Sequence, residues 1–139
     1  MLLLDNSAWS RIVAGALDVE RATVVAGWIE QRRLATCLPF LLEAGYSARS
    51  AAHHKEIVAT LSLFPRVAIT TVIEERAMQA QQELAVVGHH RLAPIDIVIA
   101  ACAHEAGAGV LHYDRDYDIL AERTSLEFES VWVAPPGTL

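Results

Sequence analysis

Acidic side chains interrupt the apolar stretches of this 139-residue chain at four places. Asp5 ends the apolar run that begins at residue 2, and Asp114 follows the short run Val-Leu-His-Tyr. Glu43 and Asp96 each stand inside an otherwise apolar stretch that contains no basic residue. A lone carboxylate is costly to bury, so the pattern indicates that these acids have partners elsewhere in the fold.

A group of converging carboxylates suits one kind of chemistry in particular. The mutual repulsion of such acids pushes them toward protonation, and a hard divalent cation such as Mg²⁺ or Mn²⁺ reverses that effect because it prefers oxygen ligands. One or two such ions can activate water and stabilise the charge on a phosphodiester during an in-line displacement. No other side chain is then needed as the nucleophile, so a site made only of Asp and Glu suits a nuclease.

The stretch around Asp114 contains three aspartates at alternating positions, Asp114, Asp116 and Asp118. Capping of the following helix accounts for Asp118 and partly for Asp116. Asp114 stands at the end of a predicted strand and is the better site candidate. Ser7 fits two roles equally well, orienting Asp5 or a water beside it, or capping a helix.

The elements that must position these acids alternate along the chain. Short apolar runs predict strands over residues 2–4, 34–37, 67–69, 110–113 and 126–133. Helical spacing and capping signals predict helices after Asn6 and Ser7, after Asp18, over 40–50 and 56–63, from Thr70 or Thr71 to Gly88, from Pro94 to Gly107, and over 117–123. The expected buried faces include Ala22, Val25, Ala26 and Ile29 on the second helix, and Ile95, Ile99, Cys102 and Ala106 on the sixth.

Such alternation predicts a single α/β domain over residues 1–139, with a mostly parallel five-stranded sheet between two layers of helices. Ligand sites of open α/β sheets form beyond the carboxyl ends of the strands, where the strand order reverses. Asp5 and Asp114 directly follow strands, and Glu43 and Asp96 stand in the first turns of helices. We therefore expect all four to meet at one rim of the sheet.

Composition narrows the function further. Hydrophobic residues make up 53% of the chain and the mean hydropathy is +0.30, which suggests a surplus of apolar surface for a partner chain. The formal net charge is −6, which disfavours a general nucleic-acid binder but not an enzyme with a carboxylate site. No secretory leader and no apolar segment of about 18 residues is visible, so we expect a cytoplasmic protein that does not contact a membrane.

The remaining candidates carry weaker signals. Cys37 and Cys102 stand in apolar runs and are predicted to be reduced core residues. His112 is predicted to pack within a strand, and the histidine pairs 53–54 and 89–90 are predicted to be solvated. The sequence leaves open whether three arginines contact phosphate or are ordinary solvated residues: Arg49, Arg91 and Arg115.

The ordered set of motifs resembles the VapC-type PIN domains, ribonuclease toxins of toxin–antitoxin pairs. Leu-Asp5-Asn6-Ser7-Ala-Trp looks like their opening motif, with Asn6 where Thr is more usual. Glu43, then Asp96 within Pro-Ile-Asp-Ile-Val-Ile-Ala-Ala, then His-Tyr-Asp114-Arg-Asp-Tyr match the later motifs in order and spacing. The resemblance covers essentially the whole chain.

This resemblance implies a three-layer α/β/α PIN domain and Mg²⁺- or Mn²⁺-dependent cleavage of RNA. It also implies a homodimer that a small cognate antitoxin silences by docking near the site. Asp5 and Asp96 carry over as metal ligands, and Glu43 and Asp114 complete the catalytic acids. Asp116 is also acidic in many relatives, so the sequence leaves open whether Asp114 or Asp116 contacts the metal.

The sequence fits two other Mg²⁺-using α/β families poorly. A haloacid-dehalogenase-type phosphatase requires an aspartate where Ser7 stands, and a receiver domain requires one where Thr70 and Thr71 follow the third strand. Two alternatives stay open: a PIN-like binding or assembly module without catalysis, and a metal nuclease directed at DNA.

Overall fold

The computed structural model describes all residues from Met1 to Leu139. Its five strands form one sheet of order β3-β2-β1-β4-β5, and every neighbouring pair is parallel. The strands are β1 Leu2–Leu4, β2 Leu34–Cys37, β3 Arg66–Val67, β4 Gly109–His112 and β5 Ser130–Trp132. The predicted α/β class with a parallel five-stranded sheet is therefore confirmed.

Seven helices connect these strands. They are α1 Asn6–Val13, α2 Val19–Glu30, α3 Leu38–Tyr46, α4 Ala51–Leu61, α5 Thr71–Val86, α6 Pro94–Ala106 and α7 Asp116–Arg123. No helix combines the length and the apolar character that crossing a bilayer requires.

The strand order reverses at the centre of the sheet. The chain moves outward from β1 through β2 to β3, then returns to place β4 on the other side of β1. Leu4 of β1 pairs with Leu111 of β4, so Asp5 and the residues after His112 leave the sheet side by side. This is the kind of crevice in which open α/β sheets bind their ligands.

The central strands are buried on both faces, as expected of a parallel sheet between helices. Leu3 and Leu4 are fully buried, and Leu111 of β4 is equally inaccessible. Gly109 starts β4 where a Cβ atom would lie only 2.9 Å from the carbonyl oxygen of Glu129. Both cysteines are buried and unpaired, which confirms their reading as core residues.

The structure corrects several predicted boundaries. The chain leaves the helical path after Tyr46, so α3 does not continue to residue 50. Ser50 instead caps α4 by accepting the backbone N–H of His53, so α4 begins at Ala51 rather than near residue 56. The fifth strand pairs only over Ser130–Trp132, because its long approach from residue 126 has no neighbouring strand to bond.

The predicted buried faces of two helices are also partly wrong. On α6, Ile95 is 39% exposed and Ala106 is exposed. Ile99 and Cys102 are buried as predicted. The helix packs against α3, α5, α7 and two strands at once, so it also buries Asp96, Ile97, Ala100, Ala101 and Ala103. On α2 only Val25 is buried, so most of the face predicted there remains at the surface.

Candidate active site

Asp5 leaves β1 and caps α1, so Asn6 and Ser7 are the first residues of that helix rather than its cap. Its Oδ2 atom accepts from the backbone N–H of Ser7 at 2.9 Å and from the Ser7 hydroxyl. Its Oδ1 atom accepts from the Tyr117 hydroxyl at 2.7 Å. Asp5 is 4% exposed, so a buried carboxylate is held through both of its oxygens.

Ser7 connects Asp5 with the chain that leaves β4. Its hydroxyl donates to Asp5 and accepts the backbone N–H of Tyr113 at 2.9 Å. The start of α1 is thereby tied to the end of β4. Of the two roles that the sequence left open for Ser7, the structure shows the orientation of Asp5.

Asp96 lies in the first turn of α6 and is 7% exposed. Burial raises the pKa of its carboxyl to about 7, and the nearby charges of Asp5 and Asp114 act in the same direction. The hydrogen bond from Tyr117, at 3.3 Å, opposes this rise. Asp96 therefore holds a proton more firmly than an ordinary aspartate does.

Asp114 and Asp116 stand at the turn between β4 and α7. The backbone N–H of Asp114 donates to His112 Nδ1 at 3.1 Å, and that of Asp116 donates to Asp114 Oδ1 at 2.9 Å. Burial and the charge of Asp114 raise the pKa of Asp116, while His89 acts against them. Asp114 thus accepts the hydrogen bond that opens α7, in addition to facing the crevice.

Three of these acids form a compact group. Asp96, Asp114 and Asp116 each present a carboxylate oxygen within 4.8 Å of the others. Asp5 lies beside this group and is joined to it through Tyr117. Of the four acids expected to converge, Asp96 and Asp114 belong to this group together with Asp116, and Asp5 lies at its edge.

Glu43, on α3, is half-buried and lies outside the compact group. Burial is the main cause that raises the pKa of its carboxyl, and the charges of Asp5 and Asp114 contribute. A hydrogen bond with Asn6 lowers it. Glu43 therefore shares the electrostatic field of the crevice and faces it from the side of α1.

Tyr117 is the residue of this crevice that sequence reasoning missed. Its side chain is fully buried, and its hydroxyl lies between Asp5 and Asp96. The available signal was an aromatic residue among alternating aspartates, three positions after Asp114. A tyrosine in the first turn of a helix usually packs as a core residue, so the spacing alone did not single it out.

His112 packs beneath this tyrosine, and its prediction as strand packing is confirmed. It is fully buried and its ring centroid lies 4.8 Å from that of Tyr117. Burial lowers the pKa of His112, which favours the neutral ring. Because Nδ1 accepts from Asp114, Nε2 carries the proton and donates to Ser130 at 2.7 Å.

The capping role predicted for Asp118 is wrong. Its Oδ1 atom accepts from the Ser130 hydroxyl at 2.7 Å, and its Oδ2 atom accepts from Trp132 Nε1 at 3.0 Å. The carboxylate reaches across to β5 because that strand presents two side-chain donors toward α7. Asp118 therefore ties α7 to the edge of the sheet.

The donor set fits a hard divalent cation. The chain contains one ion pair, Arg76 with Glu105 at 4.0 Å, so no arginine or lysine side chain neutralises the compact group. Three uncompensated carboxylates, one of them buried, offer the oxygen ligands that Mg²⁺ and Mn²⁺ prefer.

A groove of about 540 Å³ runs between α1, α3 and α4 and extends to Asn6 at the start of α1. Trp9, Arg49, His53 and Glu56 are among the residues that line it. Arg49 thus lines the same groove as Asn6, the residue that follows Asp5. Arg115 is exposed directly after Asp114, and Arg91 is exposed in the loop before α6.

Comparisons with known proteins agree with this geometry. Residues 2–123 match the family model of the PIN domain. The chain is also 37% identical to ribonuclease VapC18 of Mycobacterium tuberculosis over 139 residues, 98% of this chain and 97% of that protein. The chain belongs to the PIN-domain family. Within that family its resemblance to the VapC type is confirmed.

Solved structures of VapBC complexes share the PIN fold of this chain. A chain of the DNA-bound VapBC from Salmonella typhimurium matches with a TM-score of 0.71 at 20% identity, over 96% of this chain and 100% of that one. A chain of VapBC-5 from Mycobacterium tuberculosis, described as a member of the VapBC family of toxin–antitoxin systems, matches with a TM-score of 0.60 at 22% identity, over 94% and 98%.

Proposed function

We propose that residues 1–139 form one PIN domain that acts as a metal-dependent endoribonuclease toxin in the cytoplasm, where a cognate antitoxin silences it. The observation that carries the proposal is the compact group of Asp96, Asp114 and Asp116 at the switch point of the sheet, without a basic partner. The VapC relatives at similar length are named ribonucleases, which supports RNA as the substrate class.

In this proposal Mg²⁺ or Mn²⁺ is held by Asp96, Asp114 and Asp116, with Asp5 completing the acidic group through its Oδ1 atom. When bound, the ion supplies positive charge that stabilises the developing charge on a scissile phosphodiester and makes water a better nucleophile. Asp5, Glu43, Asp96 and Asp114 are the catalytic acids. Asp114 and Asp116 both present an oxygen to the group, so both are assigned to the metal.

The chain contributes preorganisation to this chemistry. Ser7 fixes one oxygen of Asp5 through two hydrogen bonds, so the carboxylate does not have to be ordered when the ion arrives. Asp96 must release its proton before it can bind a cation, because a metal ligand is deprotonated. The groove that leads to Asn6 offers a path for the RNA strand, with Arg49 as a phosphate contact.

Two partner proteins belong to the proposal. The VapBC complexes of the same fold support a cognate antitoxin. A homodimer is supported by the outer face of α3, where Leu38, Leu42 and Tyr46 recur every four residues and are 40%, 65% and 91% exposed. An apolar stripe of that kind is typical of a contact with another chain.

Cleavage of labelled structured RNA tests the enzyme. Purified protein is assayed with Mg²⁺, Mn²⁺ or EDTA beside Asp96→Asn and Asp5→Ala, with Glu122→Gln as a control because Glu122 is exposed on α7 and away from the crevice. We expect metal-dependent cutting that each site variant lowers at least about 100-fold, since the electrostatic contribution of a metal ion amounts to several kcal/mol. Circular dichroism verifies the fold of every variant.

The other outcomes of this assay are informative. Equal cutting by wild type and Asp96→Asn would identify a contaminating nuclease. Metal-dependent cutting of a DNA oligonucleotide but not of the matching RNA would assign the site to DNA. No cutting of either nucleic acid, with folded protein, would favour a binding module without catalysis.

Light scattering on a sizing column tests the dimer. We expect Leu42→Glu to produce monomers, because it places a charge in the middle of the stripe. Met78→Glu is the matched control, since Met78 is 75% exposed on α5 and does not belong to the stripe. A wild type that elutes as a monomer at tens of micromolar would contradict the dimer.

A further inference from the structure

A single buried phenol separates two of the acids in the crevice. The Tyr117 hydroxyl donates to Asp5 Oδ1 at 2.7 Å and lies 3.3 Å from Asp96 Oδ1. A phenol has one proton to donate, so the shorter contact identifies Asp5 as its main acceptor. Asp5 receives no other side-chain bond on that oxygen, because Ser7 occupies Oδ2.

We propose that Tyr117 is a positioning residue of the metal site, which holds the Oδ1 atom of Asp5 toward Asp96 and so recruits Asp5 to the acidic group. This inference rests on the proposed function. Asp5 stands outside the compact group of three acids, and Tyr117 is the side chain that links it to Asp96. Without the hydroxyl, Asp5 keeps only the hydrogen bonds from Ser7, which hold its opposite oxygen.

The packing around the ring makes the hydroxyl a fixed donor. Tyr117 is fully buried and its ring lies against His112. Both nitrogens of His112 are hydrogen-bonded, one to the backbone of Asp114 and the other to Ser130. The Tyr117 ring therefore packs against a neighbour that is itself fixed, and its hydroxyl is held between Asp5 and Asp96 before any ion arrives.

Hydrogen bonds from outside the ligand set orient metal-binding carboxylates, and their loss typically costs about 10–100-fold in metal affinity or activity. A hydroxyl that only satisfied a buried carboxylate in the metal-free protein would have a different signature. Its removal would lower the stability of the metal-free fold and leave the affinity for metal unchanged or increased. Metal affinity therefore separates a positioning role from a structural one.

The test is the substitution Tyr117→Phe, which removes the hydroxyl and retains the ring. Tyr113→Phe is the matched control, because the Tyr113 hydroxyl also makes a hydrogen bond, from the backbone N–H of Leu139, but touches no acid of the crevice. Mn²⁺ binding is measured by titration calorimetry. We expect Tyr117→Phe to weaken binding about tenfold or more, and Tyr113→Phe to leave it within about twofold.

The kinetics provide a second readout. The Mn²⁺ concentration that gives half the maximal rate of RNA cleavage should rise by the same factor in Tyr117→Phe. The KM for RNA at saturating Mn²⁺ should stay unchanged, because the hydroxyl does not face the nucleic acid in this proposal. A general loss of structure would instead lower the rate at every Mn²⁺ concentration.

A third measurement keeps the inference testable if Tyr117→Phe fails to fold. The chain has three tyrosines, so Tyr46→Phe combined with Tyr113→Phe leaves Tyr117 as the sole one. Labelling with 3-fluorotyrosine then gives one ¹⁹F resonance, which we expect to shift in step with Mg²⁺ saturation. A resonance that does not move while Mg²⁺ binds would overturn the positioning role.

The outcomes distinguish this inference from the function on which it rests. Wild-type protein that binds no Mn²⁺ would overturn the metal site and the inference together. Wild-type protein that binds Mn²⁺ beside a folded Tyr117→Phe of equal or higher affinity would overturn the inference alone. Weaker binding by Tyr117→Phe and by Tyr113→Phe to the same extent would also overturn it, because the effect would then not depend on contact with Asp5.

Discussion

Asp96 should make the metal-free protein less stable as the pH rises. Its pKa is about 7 in the folded chain, against an ordinary value of 3.8. A group with a higher pKa in the folded state binds more protons there than in the unfolded chain, so the free energy of unfolding falls with increasing pH between those two values. The stabilisation is complete below about pH 4 and is lost as the pH passes through 7.

The substitution Asp96→Asn isolates this effect. Asparagine has nearly the same shape and keeps an oxygen that can accept from Tyr117, but it never ionises. Each pH unit between 5 and 7 is worth about 1.4 kcal/mol, so the stability of wild type relative to the variant should fall by about 3 kcal/mol from pH 5 to pH 8. Without metal, the free energy of unfolding of Asp96→Asn relative to wild type should therefore be higher at pH 8 than at pH 5.

Urea unfolding followed by circular dichroism, in EDTA at several pH values, measures the free energies. Glu122→Gln serves as the control for changes with pH that have nothing to do with the crevice. A difference between wild type and Asp96→Asn that stays constant to within about 0.5 kcal/mol from pH 5 to 8 would refute the reasoning. It would mean that Asp96 ionises in the fold as easily as in the unfolded chain.

Three further results are expected. Mg²⁺ at about 100 times its dissociation constant at pH 8 should raise the free energy of unfolding of wild type by about 2.7 kcal/mol at that pH. The same Mg²⁺ concentration should stabilise it less at pH 6, because protons then compete for the ligands. Thermal unfolding measures both. Gly109→Ala should cost about 1–3 kcal/mol in urea unfolding, because the new Cβ would lie 2.9 Å from the Glu129 carbonyl oxygen; an unchanged stability would contradict that close approach. Asp118→Ala should destabilise the fold by about 2 kcal/mol, since it leaves Ser130 and Trp132 without their acceptor. An unchanged urea midpoint would show that these hydrogen bonds do not contribute to stability.

Much of the architecture could be predicted because a few residue types mark where strands and helices begin and end. Apolar runs ending in an acid identify β1 and β4 with their neighbours Asp5 and Asp114, and the alternation of elements implies a parallel sheet. Gly107, with its left-handed φ of 63°, ends α6 where a glycine was expected to end it. These signals act within a few residues and need no knowledge of the tertiary structure.

The errors arise where tertiary contacts outweigh the local signal. The buried face of α6 could not be identified from periodicity, because a helix that is covered on several sides has no single apolar stripe. Asp118 looked like a cap, but its partners lie on β5, which the sequence cannot place beside α7. Tyr117 was missed for the same reason: its two carboxylate partners are Asp5, which follows β1, and Asp96, which lies in the first turn of α6.

The pairing of β1 with β4 has a consequence for the order in which the protein is made. Asp5 emerges from a ribosome early, whereas the aspartates after β4 follow more than a hundred residues later. At about 5–20 residues per second this delay is on the order of ten seconds. The central pair of strands cannot close before then, since β1 has to wait for its neighbour. An unfinished chain therefore carries no assembled acidic group, and the acids come together only when synthesis of the domain is nearly complete.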